Sequence, residues 1–203
     1  MMTKTQQKLM NLFVSKIAKK FSLQGAGKEL QMHQALSYRA SKILIEKKLI
    51  LPDENGLYFL NYKENQQELI SFEYLRTSEF LKNPRHKKFK QFVTEFIDEV
   101  QENNYIFLLF GSAVEKETPR DYDIVLFFDS IEKAQQYENI LINLAESYPS
   151  LNVHINVDSI TDLNQMLTKR DEKNVANESL NKHLIFYGAE QFYKILKQVR
   201  SYA

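Results

Sequence analysis

Apolar positions recur at helical spacing through the first third of the chain. From Thr5 to Phe21, Leu9, Leu12, Phe13, Ile17 and Phe21 fall three or four residues apart, which predicts an amphipathic helix. A second, short helix is predicted from after Ser22 to about Leu30, against the helix-weakening Gly25 and Gly27. A third spans His33 to Lys48, with Leu36, Ala40, Ile43, Leu44 and Lys47 on one face and Gln34, Ser37, Tyr38, Ser41 and Lys42 on the other. Leu49 to Leu51, the turn PDENG and Leu57 to Tyr62 then predict a hairpin, with Asn55-Gly56 supplying the positive φ angles of a tight turn.

Two further helices follow, divided at Asn83-Pro84 because the residue before proline avoids the helical region. The first carries Leu69, Phe72, Tyr74 and Leu75 at helical spacing, the second Phe89, Phe92, Val93, Phe96, Ile97 and Val100. Ile106 to Phe110 and Ile124 to Phe128 are short aromatic and branched runs flanking a polar turn, so strands are predicted. Ser130 is placed to cap a helix to about Tyr148. Leu151, Val153, Ile155 and Val157 then alternate with Asn152, His154, Asn156 and Asp158 in a half-buried strand. Helical signals from Thr161 to Thr168 and Glu172 to His183 precede a short apolar segment ending in Tyr187-Gly188 and a last helix with Phe192, Ile195 and Leu196. The fold class expected is α+β, divided into residues 1–62, a helical bridge over 63–104, and residues 105–203.

Composition narrows the chemistry. The 203 residues are 43% hydrophobic, ordinary for a folded protein, and no apolar stretch approaches the roughly 20 residues that span a bilayer. The N-terminal segment lacks the apolar core and small-residue cleavage site of a secretory signal, so a cytoplasmic protein without a membrane partner is expected. Zero cysteines exclude disulfides, thiolate metal sites and cysteine nucleophiles, leaving oxygen or imidazole to hold any metal. The net charge of +1 is unevenly spread. Residues 1–62 hold ten Lys/Arg against four Asp/Glu, whereas residues 105–203 hold ten against fourteen. An anionic partner is therefore expected at the N-terminal end.

Three helices followed by a two-stranded hairpin within about 60 residues resembles the winged helix-turn-helix family in element order. That resemblance implies that the third helix reads nucleic acid, through Gln34, Ser37, Tyr38, Arg39 and Lys42.

Between the two predicted strands lie Gly111-Ser112 at one end and Asp121-Tyr122-Asp123 at the other. Carboxylates two apart on an extended run emerge from one face and repel each other unless a cation sits between them. Oxygen ligands without cysteine suit Mg²⁺ or Mn²⁺. Gly111 directly follows the first strand, where the missing Cβ allows an anion to approach the backbone, and Ser112 adds a hydroxyl. A phosphate cradle and a carboxylate pair on one hairpin make a site for a nucleoside triphosphate with its metal.

Apolar strand, Gly-Ser, eight residues, Asp-Tyr-Asp and apolar strand together resemble the polymerase-beta-like nucleotidyltransferase superfamily, its minimal branch most closely. The segment through Tyr187-Gly188 and the last helix is similar to the ending of that branch. The resemblance implies that Gly111 and Ser112 contact the triphosphate, ATP being the expected donor, while Asp121 and Asp123 ligate the metal. Where the family has a further Gly and an Arg, this chain has Ala113, Val114 and Glu115, so Arg120 or Lys116 is expected to supplement the phosphate contacts. The superfamily's third carboxylate belongs on the strand from Leu151 to Asp158. Asp158 is its only acid on the polar face, although the family position falls nearer Asn156 or His154. The four histidines show no metal-ligand spacing, and surface or packed roles are expected for all but His154.

Two readings follow. One is a Mg²⁺-dependent enzyme transferring a nucleoside monophosphate to a hydroxyl of protein, RNA or a small molecule. The other is a DNA-binding transcriptional or antitoxin-like regulator whose transferase domain binds nucleotide with little or no turnover. A homodimer is among the expected assemblies.

Overall fold

A computed structural model describes residues 2–116, 118–169 and 172–200. The chain divides into two compact units, the first running to Leu69 and the second from Ile70 to Arg200. The predicted bridge over 63–104 is thus not a unit of its own: its second helix is built into the core of the C-terminal unit.

In the first unit, α1 (Lys4–Ser15) starts in a capping box, Thr3 Oγ1 accepting from the Gln6 amide at 3.3 Å and Gln6 Oε1 from the Thr3 amide at 2.8 Å. It buries Leu9, Met10, Leu12, Phe13 and Val14. The helix stops at Ser15 instead of reaching Phe21, because Phe21 is extended and pairs with Tyr58, its amide donating to the Tyr58 carbonyl at 2.9 Å and its carbonyl accepting from the Tyr58 amide at 2.7 Å. Ser22 caps α2 (Leu23–Glu29) by accepting from the Gly25 amide at 2.9 Å. Gly27 is needed there: a Cβ would lie 3.0 Å from both Cβ and Oγ of Ser37 on α3 (Gln34–Glu46), so these helices meet through small residues. Strands β1 (Ile50–Pro52) and β2 (Tyr58–Leu60) form an antiparallel pair. In their connecting turn Gly56 alone has positive φ, and Asp53 Oδ1 accepts from the amides of Asn55 and Leu57, both at 2.9 Å. Those amides, with Lys20 at 3.2 Å, hold the Asp53 carboxyl below its ordinary value.

The α3 periodicity predicts a buried Leu36, but the helix is rotated from that reading. Ser37, Ala40, Ser41 and Leu44 face inward and Leu36 is 50% exposed. Close packing on α2 selects a small residue at Ser37, whose Oγ donates to the Leu23 carbonyl at 3.1 Å, while the buried Ser41 Oγ donates to the Ser37 carbonyl at 2.8 Å.

The second unit is built on a mixed four-stranded sheet in the order β5-β4-β3-β6. Strands β3 (Tyr105–Phe110) and β4 (Tyr122–Phe128) are antiparallel, β6 (His183–Tyr187) is antiparallel to β3, and β5 (Val153–Ser159) is parallel to β4. All six residues of β3 are buried, as a central strand covered on both faces requires. Helices α5 (Lys87–Glu99) and α6 (Ile131–Glu146) pack Phe89, Phe92, Phe96, Ala134, Tyr137 and Leu141 against Phe107, Leu109, Ile124, Leu126 and Phe128. Helices α7 (Ile160–Thr168), α8 (Val175–Ser179) and α9 (Ala189–Val199) also pack on the sheet strands. Small mixed sheet and flanking helices agree with the expected α+β class. No helix among the described residues is long and apolar enough to cross a membrane.

Helix α4 (Gln66–Lys82) differs from its predicted stripe. Leu69 and Phe72 are buried, but Tyr74 and Leu75 are exposed, and Glu73, Arg76 and Thr77 turn inward. Glu73 Oε1 accepts from Tyr193 Oη at 2.8 Å and from His183 Nε2 at 3.0 Å, and its Oε2 accepts from Arg76 Nη1 at 2.6 Å. Arg76 Nη2 donates to the His183 carbonyl at 2.8 Å, and His183 Nδ1 donates to the Ser179 carbonyl at 2.8 Å. Hydrophobic periodicity misses this face because its inward residues are charged, and mutual pairing is what makes their burial tolerable.

Candidate metal and nucleotide site

The site lies where β3 ends and β4 begins. Phe110 pairs with Asp123, and the chain leaves β3 at Gly111, φ 74°, into a 3-10 turn over Gly111–Val114. Ala113 of that turn is buried, while Gly111 and Ser112 are half-buried. The Gly111 amide donates to the Lys182 carbonyl at 3.3 Å, so what the glycine leaves open is the space at Cα beside a left-handed turn, not its own N–H.

Alternation along β4 projects Asp121 and Asp123 together, as the sequence predicts, and sends Tyr122 to the opposite, buried face. Tyr122 stacks on Phe89 with ring centroids 4.1 Å apart, and its hydroxyl is 3.0 Å from His86 Nδ1. His86 in turn stacks on Phe80 at 4.0 Å. Burial, then the neighbouring Arg85, pushes the His86 pKa down, so the ring is held neutral; burial pushes the Tyr122 hydroxyl up. This buried chain of rings anchors the residue between the two aspartates.

On its other side Asp123 is paired in parallel register with His154 of β5. Nδ1 of His154 stands 3.0 Å from Asp123 Oδ1, and the ligand atoms of Asp121, Asp123 and His154 all lie within 4.8 Å of one another. The aspartates are half-buried and the histidine is exposed at the sheet edge. Two carboxylates and an imidazole at these separations fit a divalent ion.

Asp158, the expected third acid, does not join them. It lies on the same face of β5 four residues beyond His154, about 13 Å along the strand. There it sits with Asp162, Gln165 and Lys169, and burial, followed by the charges of Asp162 and Glu138, raises its pKa. The third position opposite the aspartates is held by His154. The signal for this was present in the alternation of β5, but choosing among His154, Asn156 and Asp158 requires the strand register. Arg120 is exposed immediately before Asp121.

Of the residues expected on a nucleic-acid-reading helix, Gln34, Tyr38, Arg39 and Lys42 are exposed along α3. Ser37 is not: it is fully buried and hydrogen-bonded to α2, which removes it from any such surface.

No protein-family model matches the chain, and no curated protein matches it. Among solved structures it is similar to the crystal structure of the Thermotoga maritima IclR, at 14% identity and a TM-score of 0.28, over 54% of this chain and 40% of that one. The chain spans less than half the length of that protein, and a likeness this slight carries no argument about fold or function.

Proposed function

We propose that the C-terminal unit is a nucleotidyltransferase-type site that takes a nucleoside triphosphate at the Gly111-Ser112 turn and its divalent ion at Asp121 and Asp123. The observation that carries this reading is the convergence of Asp121, Asp123 and His154 directly beside Gly111. Carboxylates so close are stabilised by a cation and, without one, repel. A bound ion there would neutralise phosphate charge and polarise the phosphorus under attack. The chain's own residues set the geometry. Gly111 leaves room beside Asp123, Tyr122 fixes the direction of both aspartates, and Arg120 brings a cation to the rim. The reaction class is transfer of a nucleoside monophosphate to a hydroxyl, with ATP the first donor to try. Incubating the protein with labelled nucleoside triphosphates, Mg²⁺ or Mn²⁺ and cell extract should label an acceptor. Equal labelling by an Asp121→Ala/Asp123→Ala variant would sink this reading.

A second reading is supported by two observations: a histidine in the position expected for a third carboxylate, and the exposed row Gln34, Tyr38, Arg39 and Lys42. In it the N-terminal unit is a winged helix-turn-helix that binds DNA, and the nucleotide site senses without turning over. Its test is binding of the full chain to duplex DNA across a salt series. Affinity independent of salt, or none, would reject it.

A further inference from the structure

We infer that the ion held by this site is a first-row transition dication, with Mn²⁺ or Zn²⁺ bound in preference to Mg²⁺, and that His154 sets this preference. The inference rests on the proposed reading of Asp121 and Asp123 as metal ligands and adds the identity of the metal. Mg²⁺ demands hard oxygen ligands in near-ideal octahedral geometry, whereas imidazole suits Mn²⁺ weakly and Zn²⁺ well. Asp121 and Asp123 would serve either class of ion, but the third group within reach is a nitrogen. Nδ1 is the ring atom turned inward, 3.0 Å from Asp123 Oδ1. The arrangement is fixed by the fold: parallel pairing of β5 on β4 sets His154 beside Asp123, and Asn156 two residues on is paired with Val125, past the cluster.

Nothing about the core ties the histidine to this role. The His154 side chain is 55% exposed on an edge strand, and among the described residues its ring hydrogen-bonds to Asp123. Its substitution therefore changes the ligand set with little effect on packing. Replacing the nitrogen by carboxylate oxygen, as in His154→Asp, turns the cluster into an all-oxygen set and should shift the preference towards Mg²⁺. Removing it, as in His154→Ala, should weaken Mn²⁺ and Zn²⁺ and leave Mg²⁺ binding nearly unchanged.

The test uses the full chain without nucleotide, so it is separate from transfer activity. Mn²⁺ is titrated and followed by loss of the free-ion electron paramagnetic resonance signal, with Mg²⁺ and Zn²⁺ as competitors. The expected result is a single Mn²⁺ per chain, bound at least about tenfold more tightly than Mg²⁺ and displaced by lower concentrations of Zn²⁺. In His154→Ala the Mn²⁺ affinity should fall by about tenfold or more. Spin-echo spectra of the wild-type complex should show nitrogen hyperfine coupling on the bound Mn²⁺, a readout that needs no variant, and His154→Ala that still binds Mn²⁺ should show none. Equal affinity for Mn²⁺ and Mg²⁺, or bound Mn²⁺ without nitrogen coupling, overturns this inference and leaves the aspartate pair as a metal site. Binding of no divalent ion overturns both.

Discussion

A Cβ added to Gly111 would lie 2.8 Å from Oδ2 of Asp123. The glycine therefore does two things: it adopts a φ of 74° at little cost, and it leaves the space in which the Asp123 carboxylate stands. Gly111→Ala introduces a strained backbone, costing about 1–2 kcal/mol, and pushes the carboxylate away from Asp121 and His154. The variant should melt at lower temperature and bind Mn²⁺ more weakly than a loss of stability alone explains. Unchanged metal affinity in folded Gly111→Ala would show that the close approach has no part in the site.

On α3, neighbouring positions should behave in opposite ways. Arg39→Ala or Lys42→Ala removes an exposed cation and should leave the melting temperature nearly unchanged. If the helix contacts DNA phosphate, each should lower the salt slope of binding by about 1. Ser37→Val instead places a branched side chain against α2 at the point where even a Cβ added to Gly27 would come to 3.0 Å from Ser37, and leaves the Leu23 carbonyl without the Ser37 hydroxyl. It should destabilise the protein by about 1–3 kcal/mol. Thermal melts alongside DNA titrations separate the two classes.

These contrasts also show how far the sequence could be read. The apolar runs of β3 and β4, the α5 stripe and the Asp121/Asp123 projection were legible because each depends on a local period and a strong hydrophobic signal. The inward face of α3 was not. Ser37 is buried because α2 approaches closely, and Ser41 one turn on is buried with its hydroxyl on the Ser37 carbonyl, tertiary facts that polarity counts read in reverse. The buried side of α4 was missed for a related reason, since Glu73 and Arg76 look like solvent residues until His183 and Tyr193 arrive from more than a hundred positions away. Within the site, two aspartates on one strand could be paired from spacing alone. Their third companion is on another strand, and only the parallel register distinguishes His154 from Asp158.

The Glu73 cluster leads to a stability prediction. Burial pushes the Glu73 carboxyl up, but Arg76 and His183 beside it more than reverse this, so its pKa lies below the ordinary 4.5. A carboxyl depressed on folding contributes stability above about pH 4.5 that is lost as pH falls through the folded value. Glu73→Ala leaves Arg76 and His183 without their shared acceptor and should cost about 3–5 kcal/mol. Glu73→Gln, which keeps an acceptor but not the charge, should cost less. Chemical denaturation at neutral pH measures both, and a wild-type midpoint in Glu73→Ala would contradict the role assigned to the cluster.

Asp158 should show the opposite sign. Burial, with Asp162 and Glu138 nearby, raises its pKa above the ordinary 3.8, so the folded protein disfavours its charged form. Its contribution is favourable while protonated and is lost as pH rises from 3.8 through the raised value. Asp158→Asn should therefore raise the melting temperature at neutral pH, with the gain shrinking towards pH 3.8. Metal binding should be unaffected, because the residue stands apart from His154 and the aspartate pair. A large loss of Mn²⁺ affinity in Asp158→Asn would return Asp158 to the site.

His86 connects stability to the geometry of the aspartates. Its ring is almost fully buried, stacked on Phe80 and 3.0 Å from the Tyr122 hydroxyl, and burial followed by Arg85 lowers its pKa from 6.5. The unfolded chain takes up a proton near pH 6.5 and the folded chain only lower, so the stability given by the neutral ring is complete above 6.5 and lost as pH falls through the folded value. His86→Phe keeps an aromatic ring on Phe80 but removes both the titration and the contact to Tyr122. It should cost about 1 kcal/mol at neutral pH and show a shallower decline below pH 6.5 than wild type. Because Tyr122 stands between Asp121 and Asp123, Tyr122→Phe, which keeps the stack on Phe89 and loses only the hydroxyl, tests the connection directly. A fall in Mn²⁺ affinity in both variants would mean that the His86 contact positions the aspartates; a fall in neither would confine it to packing.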